Sequence, residues 1–274
     1  MKVIEKAYAK INLALQVENK RGDGYHNLKM IMVPLELHDT ITVCKGKKDE
    51  VITDKDIKNN IIYEAIRLFK EEFLIKEHVK VKLKKRIPIG SGLAGGSADA
   101  SATIRALNRY FGINKSLKEL ESIVLKLGSD TLFCLYNEPA HIYGRGEYYE
   151  FINYPSFEKI TLFSPNIEVS TKKVFDLFTK SKIKRDFNVI LDLYKEDSNR
   201  FLNATYNDLL STTMDGYPAL KALYERIKGD NETLYMTGSG STFYIIGHDF
   251  SKNIKKIPNI RIIKTFIKQK NAYK

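Results

Sequence analysis

The sequence predicts a mixed α+β protein with two domains. Two long alternating segments, residues 2–17 and 25–44, have the pattern of strands joined by a turn at Gly22-Asp23-Gly24. Helical spacing of apolar residues recurs between the later strand patterns, which favours a mixed class. A chain of 274 residues can bury a large core and is long enough for two domains.

The first half continues with alternating helix and strand patterns. Residues 60–73 carry apolar side chains at helical spacing, and residues 78–84 alternate apolar and basic residues as a half-buried strand does. A glycine-rich segment follows, and two helix patterns then extend to about residue 127. A further strand is predicted near residues 139–143.

Pro155 and Ser156 mark the predicted domain boundary. The N-terminal domain would be residues 1–154 and the C-terminal domain residues 155–274. The second domain has three predicted helices, near 171–179, 186–195 and 217–228, and three predicted strands, near 233–236, 242–247 and 260–267. The sequence shows no internal repeat and no low-complexity segment.

Composition narrows the class of protein. The hydrophobic content of 43% and charged content of 28% are those of a globular chain. No apolar run of about 18 residues predicts a membrane span, and the N-terminus runs into a strand pattern rather than a signal peptide. The two cysteines, Cys44 and Cys134, lack metal-site spacing, which favours a reducing, cytoplasmic location.

The net charge of +12 raises the question of nucleic-acid binding. Its lysines are spread along the chain, with the densest group near the C-terminus, and no nucleic-acid-binding motif accompanies them. A solvated lysine-rich surface, or a field that attracts an anionic substrate, explains the charge more simply. We therefore expect a small-molecule substrate, with no nucleic-acid or membrane partner, and a monomer or weak homodimer.

The segment from Pro88 to Ala100 is the strongest functional signal. Four glycines fall within residues 90–96, between a predicted strand and an Ala-rich predicted helix. Glycines at such a turn let backbone amides approach an anion, and the start of the helix adds unpaired donors and a positive dipole end. The segment predicts a phosphate-binding loop, and the alternative is a glycine-rich turn that binds nothing.

Other phosphate-loop families do not fit this segment. Residues 90–95 match the dinucleotide pattern G-x-G-x-x-G, but no second strand ending in an acidic residue follows. Gly95-Gly96-Ser97 lacks the lysine of a Walker A loop. The triplets His-Arg-Asp and Asp-Phe-Gly of protein kinases are absent.

The segment resembles the loop P-x-x-x-G-L-G-S-S-A-A of the GHMP small-molecule kinases. Pro88, Gly92, Leu93 and Ala98 match, whereas residues 94–97 depart from the general form and are similar to a glycine-rich branch. Three further segments resemble that branch: residues 9–13 (A-K-I-N-L) with 21–26 (R-G-D-G-Y-H), residues 127–130 (L-G-S-D) with 144–147 (G-R-G-E), and residues 237–241 (T-G-S-G-S). Together they span nearly the whole chain.

The resemblance implies the two-domain GHMP kinase fold and an ATP-dependent kinase. The N-terminal domain would be like the second domain of ribosomal protein S5, and the C-terminal domain would be ferredoxin-like. ATP would be the co-substrate and Mg²⁺ the metal, with unknown ligands. The branch implies an alcohol acceptor that carries a cytidyl diphosphate. Another GHMP kinase, acting on homoserine or mevalonate, and a basic nucleic-acid-binding module are the alternatives.

The resemblance also implies an ATP-binding set around the glycine loop. Asn60 and Lys85 resemble nucleotide contacts, although both residue types are common at the surface. The remaining members are the loop residues themselves: Pro88, Gly90, Gly92, Leu93, Ala94, Gly95, Gly96 and Ser97.

Asp130 and Lys10 are the predicted catalytic residues. Asp130 follows Gly128 and Ser129 at a predicted turn, where Ser129 is a candidate helix cap. The residues alone favour a capping role for Asp130, whereas the resemblance makes it the general base. The next residues are Thr131-Leu132, where the branch has Val-Pro. Lys10 lies in an apolar strand and could face solvent, whereas the resemblance places it beside Asp130 and the acceptor hydroxyl.

The remaining predicted residues bind the acceptor. Asn12 would orient the acceptor hydroxyl or the catalytic general base. Tyr25 would stack on the cytosine ring, and His26 would pair with the polar edge of that ring, as in sites that recognise nucleobases. Thr171 and Asn207 are further substrate contacts. Gly238-Ser239-Gly240 either shapes this region or forms a hairpin turn between two strands, and the sequence does not separate these alternatives.

Overall fold

The computed structural model describes residues 1–179, 185–229 and 233–270. The described part of the chain contains strands and helices in mixed order, which confirms the predicted α+β class. The strands are β1 (Lys2–Lys20), β2 (His26–Lys45), β3 (Glu50–Thr53), β4 (Val79–Lys84), β5 (Ala140–Gly144), β6 (Tyr148–Phe151), β7 (Lys159–Pro165), β8 (Tyr235–Met236), β9 (Phe243–Ile246) and β10 (Ile260–Phe266). The helices are α1 (Ile62–Glu72), α2 (Gly95–Tyr110), α3 (Leu117–Val124), α4 (Thr131–Tyr136), α5 (Thr171–Leu177), α6 (Phe187–Glu196), α7 (Ser198–Ala204), α8 (Leu209–Gly216) and α9 (Pro218–Lys228).

The chain divides into two compact units, each built from separate segments. Unit 1 comprises residues 1–9, 37–89 and 94–137, and unit 2 comprises residues 10–36, 90–93 and 138–274. The long strands β1 and β2 each contribute one half to each unit. The boundary between residues 154 and 155 stays a prediction.

Unit 1 is a small sheet with helices. Strand β4 pairs antiparallel with the second half of β2, from Thr40 opposite Lys84 to Lys45 opposite Val79, and pairs parallel with β3. Helix α1 buries Ile62, Ala65, Ile66 and Phe69, which recur at helical spacing. Helix α3 begins with a capping box, in which the side chain of Ser116 and that of Glu119 each accept a backbone amide of the other residue.

Unit 2 contains two sets of paired strands. The first half of β2 pairs antiparallel with β5, and β5 pairs with β6. The second set is an antiparallel four-stranded sheet in the order β10-β7-β9-β8. Helices α5 to α9 belong to this unit, and the central strand β7 is buried along six of its seven residues. Across residues 1–179, 185–229 and 233–270, no helix has the length and hydropathy needed to cross a bilayer.

Candidate active site

Lys10 and Asn12 lie in the buried part of β1, with exposed fractions of 3% and 2%. Lys10 Nζ donates a hydrogen bond to Asn12 Oδ1 at 2.7 Å, and the Asn12 amide donates to Thr237 Oγ1 at 3.1 Å. Lys10 is therefore not a solvent-facing lysine of an amphipathic strand. Its ammonium is fixed in a region of low dielectric, where a charge acts strongly on a neighbouring group.

The third glycine motif is the connection between β8 and β9, and it packs against Gly92. Gly92 has φ +76°, and a Cβ at this position would lie 2.6 Å from the carbonyl oxygen of Thr237 and 2.7 Å from that of Gly240. Only glycine allows this backbone approach. The motif is thus a hairpin connection, and it also contacts Gly92 of the predicted phosphate loop, whereas its role in shaping the substrate region stays a prediction.

Asn207 and Thr171 hold the same connection in place. Asn207 Nδ2 donates to the carbonyl oxygens of Met236 and Gly238, at 2.9 and 2.8 Å. Thr171 Oγ1 lies 2.9 Å from Ser239 Oγ, and one of the two hydroxyls donates to the other. Unit 2 therefore brings together Lys10, Asn12, Thr171 and Asn207 around residues 237–240.

The glycine loop ends at the start of α2, a 16-residue helix. Ala94 precedes the helix in the left-handed conformation, with φ +56°, and makes no side-chain cap. The amides of the first turn therefore have no capping side chain, which is the arrangement that binds anions at helix starts. A Cβ at Gly96 would meet only Ile61 Cγ2, at 3.9 Å, so the space above the second helical residue is open within unit 1.

Lys85 is buried between two carboxylates. Its Nζ donates to Asp39 Oδ2 at 2.5 Å and to Asp99 Oδ2 at 2.8 Å, and the exposed fraction of its side chain is 5%. Burial raises the pKa of Asp99 to about 8, with Lys85 opposing the shift and Asp39 adding to it. Burial alone would lower the pKa of Lys85, but the charges of Asp99 and Asp39 and the hydrogen bonds to both raise it.

This cluster, Lys85 with Asp39 and Asp99, lies beneath the start of α2. A Cβ at Gly95 would come within 3.1 Å of Lys85 Nζ. The structure therefore places Lys85 next to the glycine loop in an ion-paired state that composition and spacing did not indicate, and its contact with the nucleotide stays a prediction.

Asn60 precedes α1, and only one of the two polar atoms of its side-chain amide forms a hydrogen bond among the described residues. Its Oδ1 accepts the amide of Ile62 at 3.0 Å, whereas Nδ2 is buried and has no hydrogen-bond partner among the described residues. A buried unpaired donor costs about 1–3 kcal/mol, so its presence favours an acceptor supplied from elsewhere.

Asp130 stands at the turn before α4 but does not cap it. Asp130 occupies the N-cap position with helical backbone angles, and its side chain makes no cap hydrogen bond. Ser129, the candidate cap, precedes that position. Thr131 Oγ1 instead fastens the turn, with its one proton shared between the carbonyl oxygens of Gly128 and Val124, both 2.5 Å away. The threonine that replaces the valine of the branch thus holds the turn, and the capping role suggested for the Asp130 carboxylate is wrong.

Tyr25 and His26 follow a tight turn at the start of β2. The Tyr25 side chain is largely exposed, at 52%, and the Arg145 guanidinium lies 4.9 Å from its ring centroid. The His26 ring stacks on Phe175, with centroids 5.4 Å apart and planes 23° apart. Burial and the charge of Lys20 lower the pKa of His26, so the ring is neutral near pH 7.

A cavity of about 990 Å³ in unit 2 reaches two of the predicted residues, Asn12 and Asn207. Its remaining walls include Arg185, Tyr206 and Tyr235. Tyr25, His26 and Thr171 are not among its lining residues, but Phe178 lines it and packs edge-on against the His26 ring, with centroids 6.2 Å apart.

Sequence reasoning missed several residues that the structure places beside the predicted ones. Asp99 lies within the glycine segment itself, Phe175 within the predicted helix 171–179, and Arg145 within a motif that had no assigned role. Asp39 and Thr237 are distant in sequence from Lys85 and Asn12, and only the folded chain brings each pair together.

Residues 60–138 match the family described as the GHMP kinases N terminal domain. A Staphylococcus aureus protein (strain bovine RF122 / ET3-1) named "Putative 4-diphosphocytidyl-2-C-methyl-D-erythritol kinase" is 35% identical over 269 residues, which cover 94% of this chain and 95% of the relative. A protein of the same name from S. aureus strain JH9 matches with the same identity and coverage.

Solved structures give the same result at the level of the fold. A crystal structure of 4-(cytidine 5'-diphospho)-2C-methyl-D-erythritol kinase superposes with a TM-score of 0.78 at 25% identity, over 97% of this chain and 100% of that one. Homoserine kinase from Cytophaga hutchinsonii gives a TM-score of 0.70 at 16% identity, over 97% of this chain and 94% of that one. The latter shows a shared fold alone. These neighbours confirm the predicted GHMP kinase fold.

Proposed function

The chain belongs to the 4-diphosphocytidyl-2-C-methyl-D-erythritol kinases of the GHMP kinase family, and we propose that it uses ATP to phosphorylate the 2-hydroxyl of that cytidyl substrate. The reaction would serve the non-mevalonate route to isoprenoid precursors. The observation that carries the proposal is the 35% identity to relatives of that name over 94% of the chain.

The start of α2 supports the proposed ATP-binding site. The uncapped amides of Gly95, Gly96 and Ser97 would donate to phosphate oxygens of ATP, helped by the positive end of the helix dipole. The unpaired Nδ2 of Asn60 offers a donor to the same nucleotide. Lys85, which is paired with Asp39 and Asp99, would contribute to nucleotide binding from its position next to the loop.

The chemical step needs a group that takes the proton of the acceptor hydroxyl and a charge that stabilises the developing oxyanion. We assign the first role to Asp130, because its carboxylate is not used as a helix cap. We assign the second to Lys10, with Asn12 holding its ammonium. The acceptor oxygen bonds to the γ-phosphorus, the bond from that phosphorus to the β,γ-bridging oxygen breaks, and ADP leaves.

Mg²⁺ stays a prediction from the chemistry of phosphoryl transfer. Among the described residues, no group of three or more His, Cys, Asp or Glu side chains could hold a metal ion. A magnesium ion bound here would therefore take most of its ligands from phosphate oxygens and water, as Mg²⁺ commonly does, and would neutralise phosphate charge.

We assign recognition of the acceptor's cytosine ring to Tyr25 and His26. A neutral imidazole has one donor and one acceptor nitrogen, which suits the polar edge of cytosine. Phe175 already holds the His26 ring in a stacked position. The exposed ring of Tyr25 would provide the stacking surface. Thr171 and Asn207 would be further contacts to the substrate, each held in place by its hydrogen bond to Ser239 or Gly238.

The remaining predictions concern partners and location. We propose a cytoplasmic monomer or weak homodimer that binds no nucleic acid or membrane. Size-exclusion chromatography with light scattering would test the oligomeric state.

The decisive experiment is coupled ADP release against a panel of acceptors: the cytidyl substrate, homoserine and mevalonate. We expect ADP release with the cytidyl substrate and not with homoserine or mevalonate. Mass spectrometry should identify a phosphorylated product. Release with homoserine or mevalonate but not with the cytidyl substrate would replace the proposal by another GHMP activity. A substrate stripped of its cytidyl group should be a poor acceptor in both affinity and turnover, because binding energy from the base helps to position the hydroxyl.

A further inference from the structure

The turn that carries Tyr25 is closed by its own backbone. The Arg21 amide donates to the Tyr25 carbonyl at 2.7 Å, and the Gly24 amide donates to the Arg21 carbonyl at 3.1 Å. Asp23 Oδ1 accepts the Tyr25 amide at 3.1 Å. The position of Tyr25 therefore depends on where this small turn is fixed.

Arg21 fixes the turn to the segment Gly144–Glu147, the G-R-G-E motif. Its Nη1 donates to Glu147 Oε1 at 2.8 Å and to Asn27 Oδ1 at 3.2 Å, and its Nε donates to Asp23 Oδ2 at 3.1 Å. One guanidinium thus links two parts of unit 2 that are more than a hundred residues apart.

Glu147 is itself held in one conformation. The Arg145 amide donates to its carboxylate, and Gly144, with φ +72°, leaves room for it, because a Cβ there would lie 2.6 Å from Glu147 Oε2. Burial opposes ionisation, but hydrogen bonds from its own amide, from the Arg145 amide and from Arg21 outweigh it and lower the pKa of Glu147. Glu147 is therefore a charged anchor at neutral pH.

Arg145 covers one face of the Tyr25 ring. Its guanidinium lies 4.9 Å from the ring centroid, within the range of a cation–π contact. Together with the hydrogen bond from the Tyr25 amide, the charge of Arg145 also helps to lower the pKa of Asp23, so this residue acts on both the Tyr25 ring and the carboxylate of the turn that carries it. With one face covered and half of the side chain exposed, the ring can present its other face to a ligand.

We infer that the G-R-G-E motif is a specificity element for the acceptor: Glu147 fixes the turn through Arg21, and Arg145 holds Tyr25 so that its free face stacks on the substrate's base. Arg145, Glu147 and Arg21 are positioning residues. The inference rests on the proposed function, because it takes Tyr25 to be the residue that contacts the base.

Binding of CDP and of cytidine, measured by calorimetry, tests the inference directly. Arg145→Ala should weaken both ligands about two- to five-fold, the range expected from losing an exposed cation–π contact. Glu147→Gln should weaken both by a similar factor. The affinity for ATP should not change in either variant. Arg145→Ala should leave the melting temperature nearly unchanged, whereas Glu147→Gln should lower it modestly, because the charged carboxylate is held by several hydrogen bonds. Glu71→Gln is the matched control, because it removes an exposed Arg–Glu pair on α1 and should affect neither ligand.

A double-mutant cycle separates positioning from direct contact. In a Tyr25→Ala background, Arg145→Ala should cause no further loss, because its effect passes through the ring. Additive losses would overturn the inference. A loss for CDP without a loss for cytidine would also overturn it, since it would show that Arg145 binds the diphosphate.

These variants distinguish an error in the assignment of Tyr25 from an error in the role of the G-R-G-E motif. If Tyr25→Ala leaves the affinity for cytidine unchanged, the assignment of Tyr25 under the proposed function is wrong. If Tyr25→Ala weakens cytidine binding but Arg145→Ala and Glu147→Gln do not, only the role of the G-R-G-E motif is wrong. Discrimination between CMP and UMP should also fall in the Arg145 and Glu147 variants, which a purely structural role would not produce.

Discussion

At the scale of single residues, the most informative side chain is the Asp130 carboxylate. It stands where a capping aspartate would stand and makes no cap hydrogen bond, while Thr131 fastens the turn. Asp130 is therefore not a capping aspartate, and its proposed role as the general base rests on the family resemblance of the L-G-S-D segment.

Asp130→Asn should lower kcat on the order of 10²–10⁴-fold, the usual cost of losing a general base, while the fold and ATP binding persist. Steady-state ADP release and calorimetry with ATP measure the two effects. Asp197→Ala is the reverse control, because Asp197 does cap its helix and its loss should cost about 1 kcal/mol of stability without lowering kcat. Turnover like that of the unmodified enzyme in Asp130→Asn would remove Asp130 from the mechanism.

The Asp99 carboxyl gives a prediction about stability and pH. Its pKa is raised to about 8 in the folded protein from a model-peptide value of 3.8, so between these values the folded state holds a proton that the unfolded state releases. Stability should therefore fall as pH rises from about 4 to about 8. Asp99→Asn keeps an acceptor for Lys85 and should flatten this dependence.

Urea unfolding at intervals from pH 5 to pH 9 measures the effect of Asp99→Asn. The raised pKa of Lys85 also makes stability fall as pH rises, but at higher pH. Its contribution to stability is complete below the pKa that Lys85 has in the unfolded chain, and it is lost as pH rises above that value. An unchanged slope in Asp99→Asn would mean that Asp99 does not hold the proton.

Residue roles were predictable from sequence only where a motif carried them. Alternation along β1 could not decide whether Lys10 faces solvent, because residues on both faces of the strand are buried from Ala7 to Leu15. The partners of Lys85, Asp39 and Asp99, could not be predicted, because a buried ion pair depends on distances across the fold.

At the scale of elements, the start of α2 combines two kinds of glycine. Gly92 has positive φ and contacts the connection between β8 and β9, whereas Gly96 lies in the helix with open space above it. Substitution at Gly92 tests backbone packing, and substitution at Gly96 tests ligand access.

Gly96→Val should reduce ATP affinity about tenfold or more and leave the melting temperature nearly unchanged. A Cβ here meets only Ile61 Cγ2, at 3.9 Å, but the valine side chain would fill the space that a phosphate needs, and one charged hydrogen bond contributes about 1.5–3 kcal/mol. Calorimetry with ATP and thermal unfolding measure the two quantities. Unchanged ATP affinity would show that the loop does not bind phosphate. Gly95→Val is a poorer test, because its side chain would crowd Ile87 and the Lys85 ammonium.

The long elements and several short ones, such as β5, β9 and β10, were predicted within a few residues, whereas β3, β6 and β7 were not. The strands β1 and β2 and the helices α1 and α9 lie within a few residues of their predicted bounds. Strand β6 has four residues and β3 has four, too few to show a period. Strand β7 is buried on both faces, so its sequence does not alternate.

At the scale of the whole molecule, the charge of +12 favours polyanionic substrates in general. We expect kcat/KM for the cytidyl substrate to fall only a few-fold between about 50 and 200 mM salt, as screening shortens the range of the field. A nucleic-acid-binding protein with six to ten phosphate contacts would lose about 10³–10⁵-fold in affinity over that interval. Parallel anisotropy titrations with a labelled oligonucleotide distinguish the two, and tight, salt-sensitive oligonucleotide binding without ADP release would favour the alternative.

The division of each compact unit among separate chain segments bears on how the protein is made. The chain passes between the units at residues 9, 36, 89, 93 and 137, so no single cut releases either unit whole. During synthesis, β7 must wait nearly a hundred residues for its partner β10 to leave the ribosome. The pairing is therefore slow and non-local. We expect the second unit to mature only after β10 has left the ribosome, and separately expressed halves to need each other in order to fold.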